Sequence, residues 1–200
     1  MDLSQLSTTN SGRAIVLLVG SFSLFLAGEQ ACAEGLSIGI GAGADRGKVD
    51  CVASFACDRN SGAAKIFLGY RAYDTVELQA LYFDAGQFKG GDTTPLGTPF
   101  GGTFKVAGFG LSAGYRWQLG RGWSAVARGG VADVRTRFDY ADDLAGSVSK
   151  TLIEPLAGLG VAWAITPQWR LGIDDDVTRF KVYRTHGPLQ LLGVAAEYSF

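Results

Sequence analysis

The fold follows from one stretch of sequence, Thr103-Phe-Lys-Val-Ala-Gly-Phe-Gly-Leu-Ser-Ala-Gly-Tyr-Arg-Trp117. From Ala107 onward the odd positions carry Ala, Phe, Leu, Ala, Tyr and Trp, whereas the even positions carry Gly, Gly, Ser, Gly and Arg. Alternation with a period of two is typical of a β-strand whose faces meet different surroundings. The less apolar face is built mainly from small side chains, which suit the narrow interior of an eight-stranded barrel. The apolar face is therefore predicted to point outward, toward lipid.

The same alternation recurs along the chain, and no long stretch shows a convincing helical period. We predict eight strands, at Leu36–Arg46, Ala63–Arg71, Val76–Asp84, Thr103–Trp117, Trp123–Phe138, Thr151–Ile165, Trp169–Phe180 and Pro188–Phe200. The predicted fold is all-β, an eight-stranded antiparallel up-and-down transmembrane β-barrel. A soluble barrel with its apolar face inward is the alternative, but its outer face would be rich in long charged side chains.

The predicted connections alternate in length, which is the asymmetry of outer-membrane barrels. The tight connections are Ala72–Thr75, Gln118–Gly122 and Thr166–Gln168. The longer, polar connections are Gly47–Gly62, Ala85–Gly102, Asp139–Lys150 and Lys181–Gly187. An even number of strands places both termini on the periplasmic side, with the tight turns.

The N-terminal segment has the layout of a secretory signal peptide. Arg13 precedes an apolar run over Ala14–Ala27, and small residues follow at Ala31-Cys-Ala33. We therefore predict a signal peptide over residues 1–33 and an outer-membrane barrel domain over residues 34–200. A membrane anchor is disfavoured because the apolar run is short for a bilayer. A lipoprotein site at Cys32 is disfavoured because Glu29 and Gln30 stand in place of small apolar residues.

Cleavage after residue 33 would leave two cysteines, Cys51 and Cys57, in the first external loop. An even pair in an exported chain predicts a disulfide. A zinc site formed by these thiols and the distant His186 is a weaker alternative. Two free thiols are disfavoured by export into an oxidising compartment.

The charges are balanced, with 18 Lys and Arg against 19 Asp and Glu, which argues against nucleic acid as the main partner. Nine charged side chains are predicted to face the lumen, where buried charges must pair. They are Lys65, Arg71, Glu77, Arg116, Arg128, Glu154, Arg170, Asp174 and Glu197. A structural plug is the favoured interpretation, and a gated pore or proton path is the alternative. Asp175 points toward lipid by parity unless a β-bulge turns it inward.

Aromatic residues gather near the predicted strand ends, as they do at membrane interfaces. The girdle beside the short turns comprises Tyr70, Trp117, Trp123, Trp163, Trp169 and Tyr198, together with Phe200. A second girdle is expected beside the long loops, formed by Phe88, Phe104, Phe138, Tyr140, Phe180 and Tyr183. Ordinary aromatic packing in a sandwich would not predict clustering at strand ends.

The hairpin from Lys65-Ile-Phe-Leu-Gly-Tyr-Arg71 to Val76-Glu-Leu-Gln-Ala-Leu-Tyr-Phe-Asp-Ala-Gly86 resembles the second and third strands of the OmpA-like outer-membrane barrel family. The ending Glu197-Tyr-Ser-Phe200 is similar to the C-terminal signal that the barrel-assembly machinery reads, through Tyr198 and Phe200. The family often has glycine where Ala195 stands, which is a mild departure. A periplasmic peptidoglycan-binding domain, common in larger members of that family, is not expected because the chain stops at Phe200, so tethering to the cell wall is not implied.

Three functions are compatible with such a barrel in the outer membrane of a Gram-negative cell. The first is a structural and surface-interaction role, in which the loops contact a host or phage ligand and the barrel contacts the lipid bilayer and lipopolysaccharide. The second is a narrow, porin-like channel for small solutes. The third is a lipid A-modifying enzyme, but no serine accompanies His186 in its neighbourhood, so catalytic residues are not expected. Neither a cofactor nor a metal ion is expected, because Gly39–Gly43 lacks the βαβ context of a phosphate loop and no acidic run forms an EF-hand.

Overall fold

The structure is a computed structural model that describes residues 35–47, 58–93, 99–141, 146–182 and 185–200. Its strands are β1 (Leu36–Gly47), β2 (Asn60–Arg71), β3 (Val76–Thr93), β4 (Pro99–Gly120), β5 (Trp123–Tyr140), β6 (Ser147–Ala164), β7 (Trp169–Val182) and β8 (Thr185–Ser199). The predicted signal peptide and the Cys51–Cys57 pair lie outside the described residues. Within the described residues, no helix is long and apolar enough to cross a membrane.

The strands form a closed barrel in which each strand pairs antiparallel with the next along the chain. The barrel closes where β1 pairs with β8, with Ile38 opposite Tyr198 and Asp45 opposite Leu191. Closure gives each strand a partner on both sides, which strands inside a bilayer need because no water there satisfies the backbone. Between β6 and β7 the ladder covers only Ala157–Ala164 of β6. The prediction of an eight-stranded, up-and-down, transmembrane β-barrel is confirmed.

One end of the barrel carries short turns, as the sequence predicts. Arg121 and Gly122 connect β4 to β5 directly, and both have positive φ values, 53° and 81°. This is the requirement of a type I′ hairpin turn, whose twist matches that of the flanking strands. Residues 72–75 and 165–168 form the other two turns at this end.

At the other end the strands run further than the sequence predicts. The expected loop Ala85–Gly102 is largely strand, because β3 continues to Thr93 and β4 begins at Pro99. A β-bulge hides this continuation, since the register shifts between Asp84 and Gln87, and Gly86 adopts a φ of +68°. The Gly86 N–H donates to Asp84 Oδ1 at 2.8 Å, and the Gln87 N–H donates to Ser61 Oγ at 2.9 Å. The extra residue interrupts the period-two pattern by which strands are recognised.

The outer face of the barrel is apolar. Ile153 is 77% exposed, Leu159 65% and Val194 63%. Large aliphatic side chains with this exposure, repeated around the barrel, are expected where the surrounding solvent is lipid. The apolar face therefore points outward, and the soluble alternative with the faces inverted is wrong.

Candidate functional site

The middle of the lumen holds an ion-pair cluster contributed by β2, β5 and β7. Lys65 Nζ lies 2.7 Å from Asp174 Oδ1 and 2.5 Å from Asp176 Oδ2. Arg128 Nη2 reaches the other oxygen of Asp176 at 2.9 Å. All four side chains are buried, so each charge depends on its partners rather than on water. We call these four residues the mid-barrel cluster.

A second cluster lies toward the short-turn end. Arg116 donates to Glu77 Oε2 through Nε and Nη2, both at 2.7 Å, and to Ser124 Oγ at 3.2 Å. Glu197 lies between two guanidinium groups, with Arg116 Nη2 at 3.5 Å and Arg170 Nη1 at 3.4 Å. These contacts connect β3, β4, β7 and β8 across the interior and fix their relative positions.

Seven of the nine predicted lumen charges belong to these two clusters, and two do not. Arg71 lines the cavity at the short-turn end, and Glu154 faces the interior higher on β6. Within the described residues, neither of the two makes an ion pair. Asp176 is a lumen charge that the sequence analysis missed, although its parity matches that of Asp174, and the buried Asp45 on β1 is another.

The register around Asp174, Asp175 and Asp176 is continuous on both sides of β7, so no bulge is present there. Parity therefore decides, and Asp175 points outward, as the simple alternation predicts. Gln190 on β8 donates its Nε2 hydrogen to Asp175 Oδ2 at 2.7 Å, which gives the outward carboxylate a neutral partner.

Glycine makes room for the mid-barrel cluster. A Cβ added to Gly158 would overlap Asp176 Oδ1 and would stand 3.1 Å from Arg128 Nε. A side chain at this position would displace the Asp176 carboxylate from its contact with Arg128. The glycines of the interior face thus define the space into which the long charged side chains fold.

The long-loop end of the interior is apolar. Phe88 and Phe138 are fully buried, and Phe83, Phe104 and Phe180 are almost as inaccessible. The rings of Phe104 and Phe138 lie 4.6 Å apart between centroids. The expected second girdle is therefore wrong for Phe88, Phe104, Phe138 and Phe180, which fill the barrel instead of facing lipid. Their parity is that of the interior face, and on β3 the bulge at Gly86 restores it for Phe88.

The girdle beside the short turns is placed on the outer face. Tyr70, Trp117, Trp123, Trp163 and Trp169 are each exposed by between 46% and 49%. The rings of Trp123 and Trp163 stack at 6.3 Å between centroids, and Tyr198 packs edge-on against both Trp169 and Phe200 at 5.1 Å. Such rings suit a boundary where one end of the side chain meets lipid and the other meets water.

Comparison with known proteins identifies the family. The sequence profile described as OmpA-like transmembrane domain matches residues 32–176. The chain belongs to the OmpA-like transmembrane domain family. A comparison with curated protein sequences finds no match.

Solved structures agree with this OmpA-like fold at low sequence identity. Neisserial surface protein A (NspA) superimposes with a TM-score of 0.61 at 16% identity, covering 84% of this chain and 98% of NspA. OprG of Pseudomonas aeruginosa gives 0.55 at 12% identity, covering 84% and 98%. Ail, the attachment invasion locus protein of Yersinia pestis, gives 0.50 at 19%, covering 82% and 99%. The chain is thus an OmpA-like outer-membrane barrel protein, and its outer face contacts the lipid bilayer.

The Cys51–Cys57 disulfide lies outside the described part of the chain and stays a prediction. The predicted connection Lys181–Gly187 is wrong for most of its length, because β7 continues to Val182 and β8 begins at Thr185, so residue 186 lies in a strand. Among the described residues, no group of three or more His, Cys, Asp or Glu side chains is arranged to hold a metal ion.

Proposed function

We propose that this OmpA-like barrel is a non-conducting, non-catalytic scaffold of the outer membrane, and that its function lies in what the external end contacts. The observation that carries the proposal is the interior, which is obstructed at three successive levels. A solute arriving from the short-turn end meets the Arg116 cluster, then the mid-barrel cluster, and finally the layer of buried phenylalanines.

The interior leaves a small space below those phenylalanines. A cavity of about 40 Å³ lies at the short-turn end and is lined by Arg71, Arg116, Arg170 and Glu77, with Arg128 and Asp174 at its upper limit. Eight-stranded barrels leave room for little more than filling side chains. Opening a path would require breaking the buried ion pairs and displacing the phenylalanines together, which supports a closed resting state.

The proposed partners follow from the two ends of the barrel. The short-turn end presents Tyr198 and Phe200, which we propose the barrel-assembly machinery recognises after export by a signal peptide. The external end would stand among lipopolysaccharide molecules and contact host or phage ligands. Support comes from Ail, which has been solved in complex with the heparin analogue sucrose octasulfate.

Planar-bilayer recording tests the closed interior. We expect the refolded full chain to give no discrete conductance steps, because buried pairs and packed rings occupy the lumen. A gel shift between boiled and unboiled samples serves as the control that the inserted protein is folded. Regular single-channel steps from heat-modifiable protein would replace the scaffold proposal with the narrow-channel alternative.

The enzymatic alternative has its own readout. It requires that expression of the chain alters the mass spectrum of lipid A and that His186→Ala abolishes the alteration. We expect the spectrum to be unchanged.

The surface role is tested by exchanging the external loops. The exchange should remove ligand adhesion while leaving the gel shift intact, and unaltered adhesion would contradict that role.

A further inference from the structure

The cavity at the short-turn end of the lumen is a polar pocket shared by three neighbouring strands. Gly69 of β2 forms its wall, with Ser37 of β1 directly opposite on one side and Gln79 of β3 directly opposite on the other. A Cβ added to Gly69 would stand 2.5 Å from Ser37 Oγ, so glycine keeps the pocket open. The Phe67 ring lines the pocket on the external side, and Arg71, the last residue of β2, lines it at the short-turn end.

Two side chains that line this pocket are buried without a partner. Gln79 and Ser37 are each only 6% exposed. Within the described residues, neither side chain makes a hydrogen bond. Buried polar groups are normally hydrogen-bonded, because an unmade bond leaves the cost of desolvation uncompensated. The amide and the hydroxyl are both donors that lack a protein acceptor.

Arg71 is a third donor without a partner, and its side chain is half-buried. Its cross-strand neighbour Glu77 instead accepts two bonds from Arg116. The exposed Asp74 in the adjoining turn and the C-terminal carboxylate of Phe200 make no ion pair with Arg71 in the part of the chain that the structure describes. The guanidinium group is therefore available to a ligand.

The charges around the pocket do not cancel. Three arginines and two glutamates of the short-turn half line it, namely Arg71, Arg116, Arg170, Glu77 and Glu197. The mid-barrel cluster above them balances two cations with two carboxylates. Asp45 and Glu154 also face the interior, but they lie further toward the external end. Three positive charges against two negative charges leave one positive charge at the pocket, which favours an anion.

The volume of the pocket limits the size of that anion. A cavity needs roughly 10–15 Å³ for each water molecule that it holds. The volume of about 40 Å³ therefore suits a ligand the size of about three water molecules. A formate ion has about that number of non-hydrogen atoms, whereas a branched carboxylate such as pivalate has more than twice as many.

We propose that Arg71, Gln79 and Ser37, the carboxylate pocket, bind a small carboxylate ion of the size of formate or acetate. The planar guanidinium of Arg71 would pair with both carboxylate oxygens. The Gln79 amide and the Ser37 hydroxyl would donate to the same oxygens from the adjoining strands. A neutral ligand would leave the surplus charge uncompensated, and a cation would add to it. The inference goes beyond the proposed function, since it concerns the end of the barrel opposite the external ligands.

Urea unfolding of the refolded full chain in lipid vesicles, followed by tryptophan fluorescence, tests the carboxylate pocket. Sodium formate is compared with sodium chloride at equal ionic strength. Formate should raise the unfolding midpoint of the wild type in a saturable manner, because it would bind only the folded barrel. Arg71→Gln loses the charged donor and should need about ten times more formate for the same rise. Arg121→Gln removes a charge from another turn at the same end and should respond as the wild type does.

Two further measurements test the shape and the donors of the pocket. Gln79→Met keeps the length of the side chain but removes the amide, and should need about three to ten times more formate for the same rise. Sodium pivalate should give no saturable rise in the wild type, because it exceeds the volume of the pocket. A gel shift between boiled and unboiled samples shows that each variant is folded before the titration.

Three outcomes would overturn the carboxylate pocket. One is an equal rise with formate in the wild type, Arg71→Gln and Gln79→Met, which would be a general effect of the salt on the protein. The second is an equal rise with pivalate and formate, and the third is no rise of the heat-modifiable wild type in formate. None of these outcomes depends on whether the lumen conducts. Failure of the closed scaffold appears instead as conductance steps in planar bilayers.

Discussion

At the scale of single residues, the alternation of faces decides what a charge does in this barrel. Asp174 and Asp176 face the lumen and meet Lys65, whereas Asp175 faces outward and meets Gln190. The sequence is sufficient to assign all three by parity once the strand is recognised. It is not sufficient to show which cation each carboxylate contacts, because partners come from strands more than a hundred residues away, as Lys65 and Asp176 do.

Asp176→Asn should destabilise the barrel strongly, since it removes the negative charge shared by two buried cations. We expect the free energy of unfolding to fall by about 3–5 kcal/mol. The adjacent Asp175→Asn, which retains an acceptor for Gln190, should change it by less than about 1 kcal/mol. Urea unfolding in vesicles, followed by tryptophan fluorescence, measures both. Equal effects of the two substitutions would mean that the mid-barrel cluster contributes nothing specific.

At the scale of the strand, one inserted residue accounts for the difference between the predicted and the observed extent of β3. Up to Asp84 the period-two pattern identifies β3, and beyond it the bulge at Gly86 moves every later residue to the opposite face. Phe88 consequently enters the core, where a simple count would have placed it in lipid. The aromatic residues of β4, β5 and β7 follow simple parity, which would have placed Phe104, Phe138 and Phe180 inside. Their position near strand ends instead assigned them, wrongly, to the girdle.

Gly86→Ala should disrupt the bulge. The residue has a positive φ, and a Cβ at this position would overlap Ser61 Oγ and stand 2.5 Å from the Gly62 carbonyl oxygen. We expect a loss of about 1–3 kcal/mol in the free energy of unfolding. Gly129→Ala is the control, because open space surrounds its outward position, and alanine there should be neutral or stabilise by up to about 1 kcal/mol. If both variants unfold at the same denaturant concentration, the bulge is not what requires glycine.

At the scale of the whole molecule, the two ends of the barrel differ in construction. Two- to four-residue turns and an aromatic girdle mark one end, and extended hairpins around a buried aromatic core mark the other. The sequence predicts this polarity from loop lengths, since a tight turn has a recognisable composition. The length of the extended hairpins was not predictable, because polar strands that rise into water have the composition of loops.

This difference between the two ends predicts which thiols are accessible from outside the cell. After mild reduction of intact cells, a membrane-impermeant maleimide should label Cys51 and Cys57, because both belong to the long-loop end between β1 and β2. Without reduction the expected disulfide should prevent labelling. A cysteine introduced by Arg121→Cys should react only after the outer membrane is permeabilised. Labelling of Arg121→Cys in intact cells would show that the barrel has the opposite orientation. Labelling of the native protein without reductant would disprove the disulfide.

The ladder between β1 and β8 also sets the order of events during biogenesis. Seven of the ladders join strands that are adjacent in the chain, but Ile38 must meet Tyr198, which lies 160 positions away. Such a contact closes the longest loop in the protein and is expected to form late. Until the final strand arrives, β1 keeps an open edge that could pair with another chain. Closure is therefore a post-synthetic event, and the nascent chain depends on protection for the whole interval between its first strand and its last.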